Sequence, residues 1–114
     1  MVYADANCLL RFILNDNQEM ADYTENLLNT QEVFLLHEVL CEMVYVLDGV
    51  YKTSRKDINK QLSALLDFVT IEDSDVMKNA LQFYADTKLD FVDCILLSYL
   101  HAVKTVLFVL PLDY

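Results

Sequence analysis

Residues 1–14 read MVYADANCLLRFIL, and this stretch carries the first signal for the fold. The apolar run Met1 to Ala4 is typical of a buried parallel strand, and it ends at the carboxylate of Asp5. The apolar residues of segment 7–14 recur on one helical face, which predicts a short helix. A strand that ends in a carboxylate directly before a helix indicates an α/β fold, with a site at the carboxyl edge of the sheet.

Strands and helices are predicted to alternate along the rest of the chain. Apolar runs predict further strands at residues 33–36, 69–71 and 105–109. Helical spacing and capping residues predict helices over residues 18–29, 37–50, about 54–66, from 74 onward, and 90–103. This alternation favours a parallel sheet with helices on both faces.

Composition limits the class of protein. The chain has 114 residues, which is typical of one compact domain, and 55% of them are hydrophobic. It contains one Gly and one Pro, which excludes disordered, collagen-like and Gly/Pro-rich all-β chains.

The acidic balance of the chain limits its partners. Eighteen acids against eight bases give a formal charge of −10, which argues against nucleic-acid binding through a largely basic surface. A nuclease that uses divalent metal ions remains compatible, because hard cations bind carboxylate oxygens. The charge also predicts a cationic partner.

The cysteines and the apolar C-terminal part indicate the compartment. Cys8, Cys41 and Cys94 are odd in number and form no CxxC pair, so we predict buried free thiols in a reducing, cytoplasmic compartment. Segment 94–112 is apolar but contains His101 and Lys104. We predict a buried helix followed by a buried strand there, and no membrane association.

Two acids in the first half of the chain are candidates for metal binding. Asp5 follows the first strand, with Asn7 as a supporting residue, although Asp and Asn are also favoured helix caps. Glu42 lies among uncharged neighbours on a predicted helix, one turn after Glu38. A buried carboxylate would need a metal or a partner, whereas the alternative places Glu42 on a narrow solvent-facing stripe.

Two further acids lie three residues apart near the C-terminal end. Asp90 and Asp93 share one face of a predicted helix. Asp90 could instead be the N-cap, with Asp93 as the acid at the third helical position. His37 and Cys41 have the spacing of a metal pair, but a capping or packing role is favoured because no further ligands complete a set.

Half of the basic residues cluster in one short segment. This segment could contact nucleic-acid phosphates, or it could be an ordinary solvated helix face. Aromatic side chains are predicted to belong to the core rather than to stack on bases. The candidate phosphate contacts are Lys52, Arg55, Lys56 and Lys60, and the aromatics are Phe12, Phe68, Phe83, Tyr84 and Phe91.

Four segments in this order resemble the VapC-type toxins of the PIN-domain family. Residues 2–11 (VYADANCLLR) match the opening strand with its Asp-x-Asn, and residues 39–42 (VLCE) match the segment around the family's Glu. Residues 51–58 (YKTSRKDI) match the link into the next helix, and residues 89–93 (LDFVD) match the late acidic motif. The resemblance covers nearly the whole chain.

The resemblance implies a three-layer α/β/α fold over residues 1–114, with a central parallel sheet of about four to five short strands. It implies a toxin that cleaves RNA phosphodiester bonds with Mg²⁺ or Mn²⁺. It also implies a homodimer and a cognate antitoxin with a basic segment. The implied metal ligands and catalytic residues are Asp5, Glu42 and Asp93, with Asp90 alongside.

The C-terminal end departs from the family pattern. Residues 108–110 (FVL) stand where the family has a motif ending in a fourth acid, so Leu110 replaces that acid and Asp113 is out of register. The alternative function is therefore a PIN-like protein with weakened or lost catalysis that acts through protein–protein binding. A third possibility is an unrelated small α/β domain whose acids serve only as caps.

Overall fold

A computed structural model describes residues 2–102 of the chain; Met1 and residues 103–114 lie outside the described part. The predicted strand at residues 105–109 is therefore outside it. The described part contains two short strands and six helices. They are β1 (Val2–Tyr3), α1 (Ala6–Leu14), α2 (Gln18–Thr30), β2 (Val33–Phe34), α3 (His37–Gly49), α4 (Arg55–Leu66), α5 (Ser74–Asp86) and α6 (Phe91–Ala102).

The strands form a small parallel sheet. Val2 pairs with Val33 and Tyr3 with Phe34, and a single parallel bridge joins Phe34 to Thr70 on the far side of β2. Parallel pairing at β1 and β2 was predicted, and the predicted strand at residues 69–71 is reduced to this bridge. The sheet of about four to five strands is not confirmed, because the described residues contribute two strands and one bridged position.

The helices lie close to their predicted positions because the sequence supplies their caps. Asn17 accepts a hydrogen bond from the backbone of Met20 at 3.1 Å at the start of α2, and Ser54 accepts one from Asp57 at 3.2 Å at the start of α4. Such caps satisfy backbone N–H groups that have no partner within the helix. The observed helix ends therefore differ from the predicted ones by a few residues at most.

One continuous core draws on five of the six helices. Helix α6 packs against α5 and also touches α3, while α4 packs against both α3 and α5. Full burial of each large apolar side chain contributes about 1.5–3 kcal/mol to folding. The residues with no measurable exposure include Leu9, Leu40, Met43, Leu47, Ile58, Leu62, Met77, Leu81 and Cys94.

Two hydrogen bonds fix α6 along α5. The Ser98 hydroxyl donates to the carbonyl of Val76 at 2.6 Å, and the Tyr99 hydroxyl donates to the Asp73 carboxylate at 2.6 Å. Ser98 is buried, so its donor has a partner where one is needed. This packing orients α6 so that its N-terminal end faces α3.

The prediction that the aromatics belong to the core is correct for most of them and wrong for one. Tyr84 and Phe91 are buried, and Phe12 and Phe83 pack half-buried against the core. Phe68 is 63% exposed, because it lies in the turn after α4 rather than on a helix face.

The thiols are free, as predicted, although only Cys94 is fully buried.

No helix within residues 2–102 combines the length and the apolar character needed to cross a membrane.

Candidate functional site

Asp5 lies where β1 passes into α1. The amide of Ala4 donates to the carbonyl of Phe34 at 3.0 Å, which fixes the strand end directly before Asp5. Asp5 has extended backbone angles, and its Oδ1 accepts a hydrogen bond from the Cys8 amide at 2.8 Å. The capping role considered from the sequence is thus confirmed. The side chain is exposed, and within residues 2–102 its second carboxylate oxygen accepts no backbone hydrogen bond.

The immediate neighbours of Asp5 complete this corner. Asn7, the predicted supporting residue, is the second residue of α1 and is exposed. Burial raises the pKa of the Cys8 thiol, and the Asp5 carboxylate raises it further. Cys8 therefore stays protonated and does not compete with Asp5 for a cation.

Glu42 lies on the solvent-facing side of α3. Its neighbours Leu40 and Met43 are buried, whereas the Glu42 side chain is exposed. The alternative that placed this residue on a solvent stripe agrees with that position. An exposed carboxylate carries no desolvation cost, so it is free to bind a cation without first needing a partner.

Asp90 and Asp93 stand at the start of α6. The Oδ2 atom of Asp90 accepts a hydrogen bond from the Val92 amide at 3.3 Å, and its carbonyl accepts one from the Cys94 amide at 3.0 Å. Asp90 is therefore the N-cap, as the capping interpretation predicted. Asp93 is the third helical residue, and its carboxylate is exposed.

Acids from α3 and α6 meet on one surface. The Tyr45 hydroxyl donates to Oδ1 of Asp90 at 3.4 Å, which joins the two helices. Glu38 and Cys41 lie on the same face of α3 as Tyr45. Burial raises the pKa of the Cys41 thiol, and the negative charges of Asp90 and Glu38 raise it further. We call Glu38, Cys41, Tyr45 and Asp90 the acidic surface.

Apart from Cys41, which was considered only as a pair with His37, the acidic surface contains two residues that were not among the predicted site residues. Glu38 and Tyr45 both contribute to it, and the family resemblance implies neither of them as a metal ligand. A sequence signal existed, because residues 38, 41 and 45 recur at helical spacing and so share one face of α3. The spacing could not show that Asp90 would come to the same face.

The predicted ligands do not form a complete metal site in the described part. Among residues 2–102, no group of three or more His, Cys, Asp or Glu side chains is arranged to hold a metal ion. Asp5, Glu42 and Asp93 are all exposed carboxylates at helix starts or on a helix surface, and their role as ligands stays a prediction. Leu110 and Asp113, which bear on a fourth ligand, lie outside the described residues.

The basic segment divides into two kinds of residue. Lys52, Lys56 and Lys60 are exposed, and their contact with RNA stays a prediction. Arg55 points inward, and its guanidinium donates to backbone carbonyls of residues 84–89. These bonds occupy Arg55 within the protein, so it is not presented to RNA phosphates as its neighbours are.

His37 has a structural partner rather than a metal-binding arrangement. Its Nε2 lies 2.6 Å from the carbonyl oxygen of Glu72, so Nε2 carries the proton and donates. This bond ties the start of α3 to the segment before α5. The packing role favoured from the sequence agrees with this contact.

Comparison with curated proteins and with solved structures found no match. A family model for the PIN domain matches residues 2–108, which is nearly the whole of the 114-residue chain. The chain therefore belongs to the PIN domain family, whose members are generally nucleases.

Proposed function

We propose that this protein is a divalent-metal-dependent endoribonuclease and the toxin of a toxin–antitoxin pair. The observation that supports the proposal most is the hydrogen bond from the Tyr45 hydroxyl on α3 to the exposed Asp90 carboxylate at the start of α6. It brings a carboxylate of α6 to the face of α3 that also carries Glu38, in a chain that belongs to a family of nucleases. The proposed catalytic residues are Asp5, Glu42 and Asp93, with Asp90 as a further candidate ligand.

Mg²⁺ or Mn²⁺ is the cofactor in this proposal. Mg²⁺ prefers oxygen ligands and is commonly held by one or two carboxylates together with water and substrate phosphates. Exposed carboxylates on a helix start fit such a partial set, although they do not amount to three preformed ligands within residues 2–102. When bound, such an ion activates water and stabilises negative charge on phosphate oxygens.

The residues of the chain contribute orientation. Asp5 and Asp90 each use one carboxylate oxygen to cap a helix, which fixes the rotation of the side chain. The second oxygen of Asp5 is then held in one direction, and the second oxygen of Asp90 faces the Tyr45 hydroxyl. A carboxylate that is already oriented loses less conformational entropy when it binds a cation.

The test compares RNA cleavage by the wild type with Asp5→Asn, Glu42→Gln and Asp93→Asn, in Mg²⁺ and in Mn²⁺. Asn caps a helix about as well as Asp, so Asp5→Asn removes the charge and keeps the fold. We expect each variant to lose about 100-fold or more in rate. Asp75→Asn is the matched control, because Asp75 is an exposed acid in the first turn of α5 and should leave the rate unchanged. Equal rates in all variants would exclude this site.

The proposed partners are RNA, a second copy of the chain and a cytoplasmic antitoxin with a basic segment. The formal charge of −10 and the exposed acids support a basic partner, since opposite charges speed encounter and favour the correct orientation. A pull-down with the protein encoded beside this chain, repeated at rising salt, would test this. Binding that does not weaken with salt would contradict a basic segment as the main contact.

A second candidate function is a PIN-like protein that has lost catalysis and acts by binding another protein. It is favoured by the absence of a three-ligand group within residues 2–102 and by Leu110 in place of the family's acid. A Mn²⁺ titration by calorimetry separates the two candidates. No heat of Mn²⁺ binding, together with retained binding of the basic partner, would select the non-catalytic function.

A further inference from the structure

Arg55 differs from the other cations of the basic segment in its surroundings. It is the first residue of α4, and the Ser54 cap fixes the backbone at that point. Its side chain then extends across to the end of α5 instead of into solvent. A cation placed at a helix C-terminus interacts favourably with the carbonyls that have no partner there.

The contacts of Arg55 cover the whole connection between α5 and α6. Its Nη1 donates to the carbonyls of Tyr84 at 3.1 Å, Thr87 at 3.2 Å and Leu89 at 2.7 Å. Its Nη2 lies 3.4 Å from the carbonyl of Lys88, and its Cζ stands 3.9 Å from the centre of the Tyr84 ring. One side chain thus contacts four backbone carbonyls on the path that leads to Asp90.

The segment that Arg55 binds has few other supports. The Thr87 hydroxyl donates to the carbonyl of Phe83 at 2.7 Å and accepts from the amide of Leu89 at 3.2 Å. Leu89 itself is 42% exposed, so little apolar burial holds the residue that precedes Asp90. The carbonyl of Leu89 makes the shortest bond to Arg55, which places the guanidinium one residue from the N-cap of α6.

We propose that Arg55 is a positioning residue of the acidic surface. By binding the carbonyls of residues 84–89 it sets where Asp90 and Asp93 stand relative to Glu38 and Tyr45. The importance of Arg55 for catalysis rests on the proposed function, whereas its structural role in positioning the loop can be measured separately. Arg55 does not touch substrate or a reacting atom in this assignment.

The geometry distinguishes Arg from Lys at this position. A guanidinium presents several donors in a planar fork, so it can bind several carbonyls at once and still stack on Tyr84. The ammonium of Lys carries its donors on one compact nitrogen, so it would bind fewer of these carbonyls at once. Arg55→Lys should therefore keep the charge and part of the bonding, while Arg55→Ala should lose both.

The first test is amide hydrogen exchange of the full-length protein without added ligand. In Arg55→Ala we expect the amides of Leu89, Val92 and Cys94 to exchange about ten times faster or more, because the loop opens without its central donor. Arg55→Lys should be intermediate. Lys56→Ala is the matched control, since Lys56 is the next residue on α4 and is exposed, and it should leave exchange unchanged.

The second test measures the effect on the site through Mn²⁺ affinity and RNA cleavage. Loss of a residue that orients ligands commonly weakens metal affinity about 10- to 100-fold. We expect this loss in Arg55→Ala, partial recovery in Arg55→Lys, and recovery on addition of low millimolar guanidinium to Arg55→Ala. Cleavage of a random-sequence single-stranded RNA pool should fall in kcat more than it rises in KM.

The outcomes separate the inference from the proposed function. If the wild type neither binds Mn²⁺ nor cleaves RNA, the proposed function fails, and the exchange data still decide whether Arg55 positions the loop. Wild-type exchange rates and wild-type Mn²⁺ affinity in Arg55→Ala would overturn the inference. If Arg55→Ala does not fold, the same two measurements on Arg55→Lys decide, and wild-type values in both would again overturn it.

Discussion

Helices α1 and α6 begin in the same way, with an aspartate cap, but the segments before them are held differently. Asp5 follows a strand whose backbone pairs with β2, since the amide of Ala4 donates to the carbonyl of Phe34. Asp90 follows an irregular loop whose carbonyls are bound by the side chain of Arg55. The start of α1 therefore depends on a backbone ladder, which most substitutions leave intact. The start of α6 depends on side chains instead, with Arg55 binding most of the loop carbonyls, Thr87 bonding within the loop and Phe91 packing in the core.

The difference has a consequence for the proposed site. Substitution at one position can displace Asp90 and Asp93 without disturbing the sheet, whereas no single side chain plays that part for Asp5. If the acids from both helix starts act together, the α6 side is the one that mutation can move.

The largest effect is expected at Phe91, the first residue of α6. Phe91 is 1% exposed and packs edge-on against Tyr84, with ring centres 5.8 Å apart, while the equivalent residue of α1 is only an alanine. Phe91→Ala should lower the free energy of unfolding by about 3–5 kcal/mol. Urea unfolding followed by circular dichroism measures this. Phe91→Leu should recover more than half of the loss, and a loss under about 1 kcal/mol in Phe91→Ala would show that α6 does not need this contact.

Arg11 and Arg55 should differ in their contribution to stability. Arg11, in the last turn of α1, pairs with Asp16 at 2.6 Å and with the Tyr51 hydroxyl at 2.8 Å, both contacts being near the surface. Arg55→Ala should cost about 2–3 kcal/mol because several backbone carbonyls lose a charged donor. Arg11→Ala should cost clearly less, because exposed ion pairs contribute little to stability. Thermal and urea unfolding of both variants check this, and equal losses would contradict the larger structural role of Arg55.

The caps themselves should matter less, and unequally. Asp5 accepts its amide hydrogen bond at 2.8 Å, whereas Asp90 accepts at 3.3 Å. We expect Asp5→Ala to cost about 1 kcal/mol and Asp90→Ala about 0.5 kcal/mol in urea unfolding. The Asn variants should be close to wild type in stability. A larger loss in Asp90→Ala than in Asp5→Ala would indicate that α6 depends on its cap rather than on Arg55.

The parts of the fold that follow from local chemistry could be predicted from the sequence. The starts of α1, α2, α4 and α6 were predicted because Asp, Asn and Ser side chains bind backbone amides within three residues. Strands β1 and β2 were placed correctly but are short. β2 ends at Phe34 because only two residues separate it from the start of α3. The apolar content of residues 33–36 alone does not show that the strand ends so early.

The parts of the site that depend on long-range contacts could not be predicted. Glu38 was noted only for its spacing, since the position of Asp90 at the same face of α3 depends on how α6 packs against α3 and α5. Arg55 looked like an exposed cation because basic residues at a helix start usually face solvent. Its partners are carbonyls some thirty residues away, and carbonyls carry no sequence signal.

The smallest effect is expected at the far end of α6, where Tyr99 donates to Asp73. This hydrogen bond, with burial adding to it, raises the pKa of Tyr99 from 10.0 to about 12. The bond needs the protonated phenol, so its stabilisation is fully present below pH 10 and is lost as the pH rises towards about 12.

Tyr99→Phe should cost less than about 1 kcal/mol at pH 7 and should reduce the loss of stability above pH 10. Urea unfolding of both proteins at several pH values measures this, and amide exchange at Val92 and Cys94 should not change at neutral pH, because Arg55 still binds the loop before α6. Faster exchange there would mean that Tyr99, at the other end of the helix, also holds the start of α6.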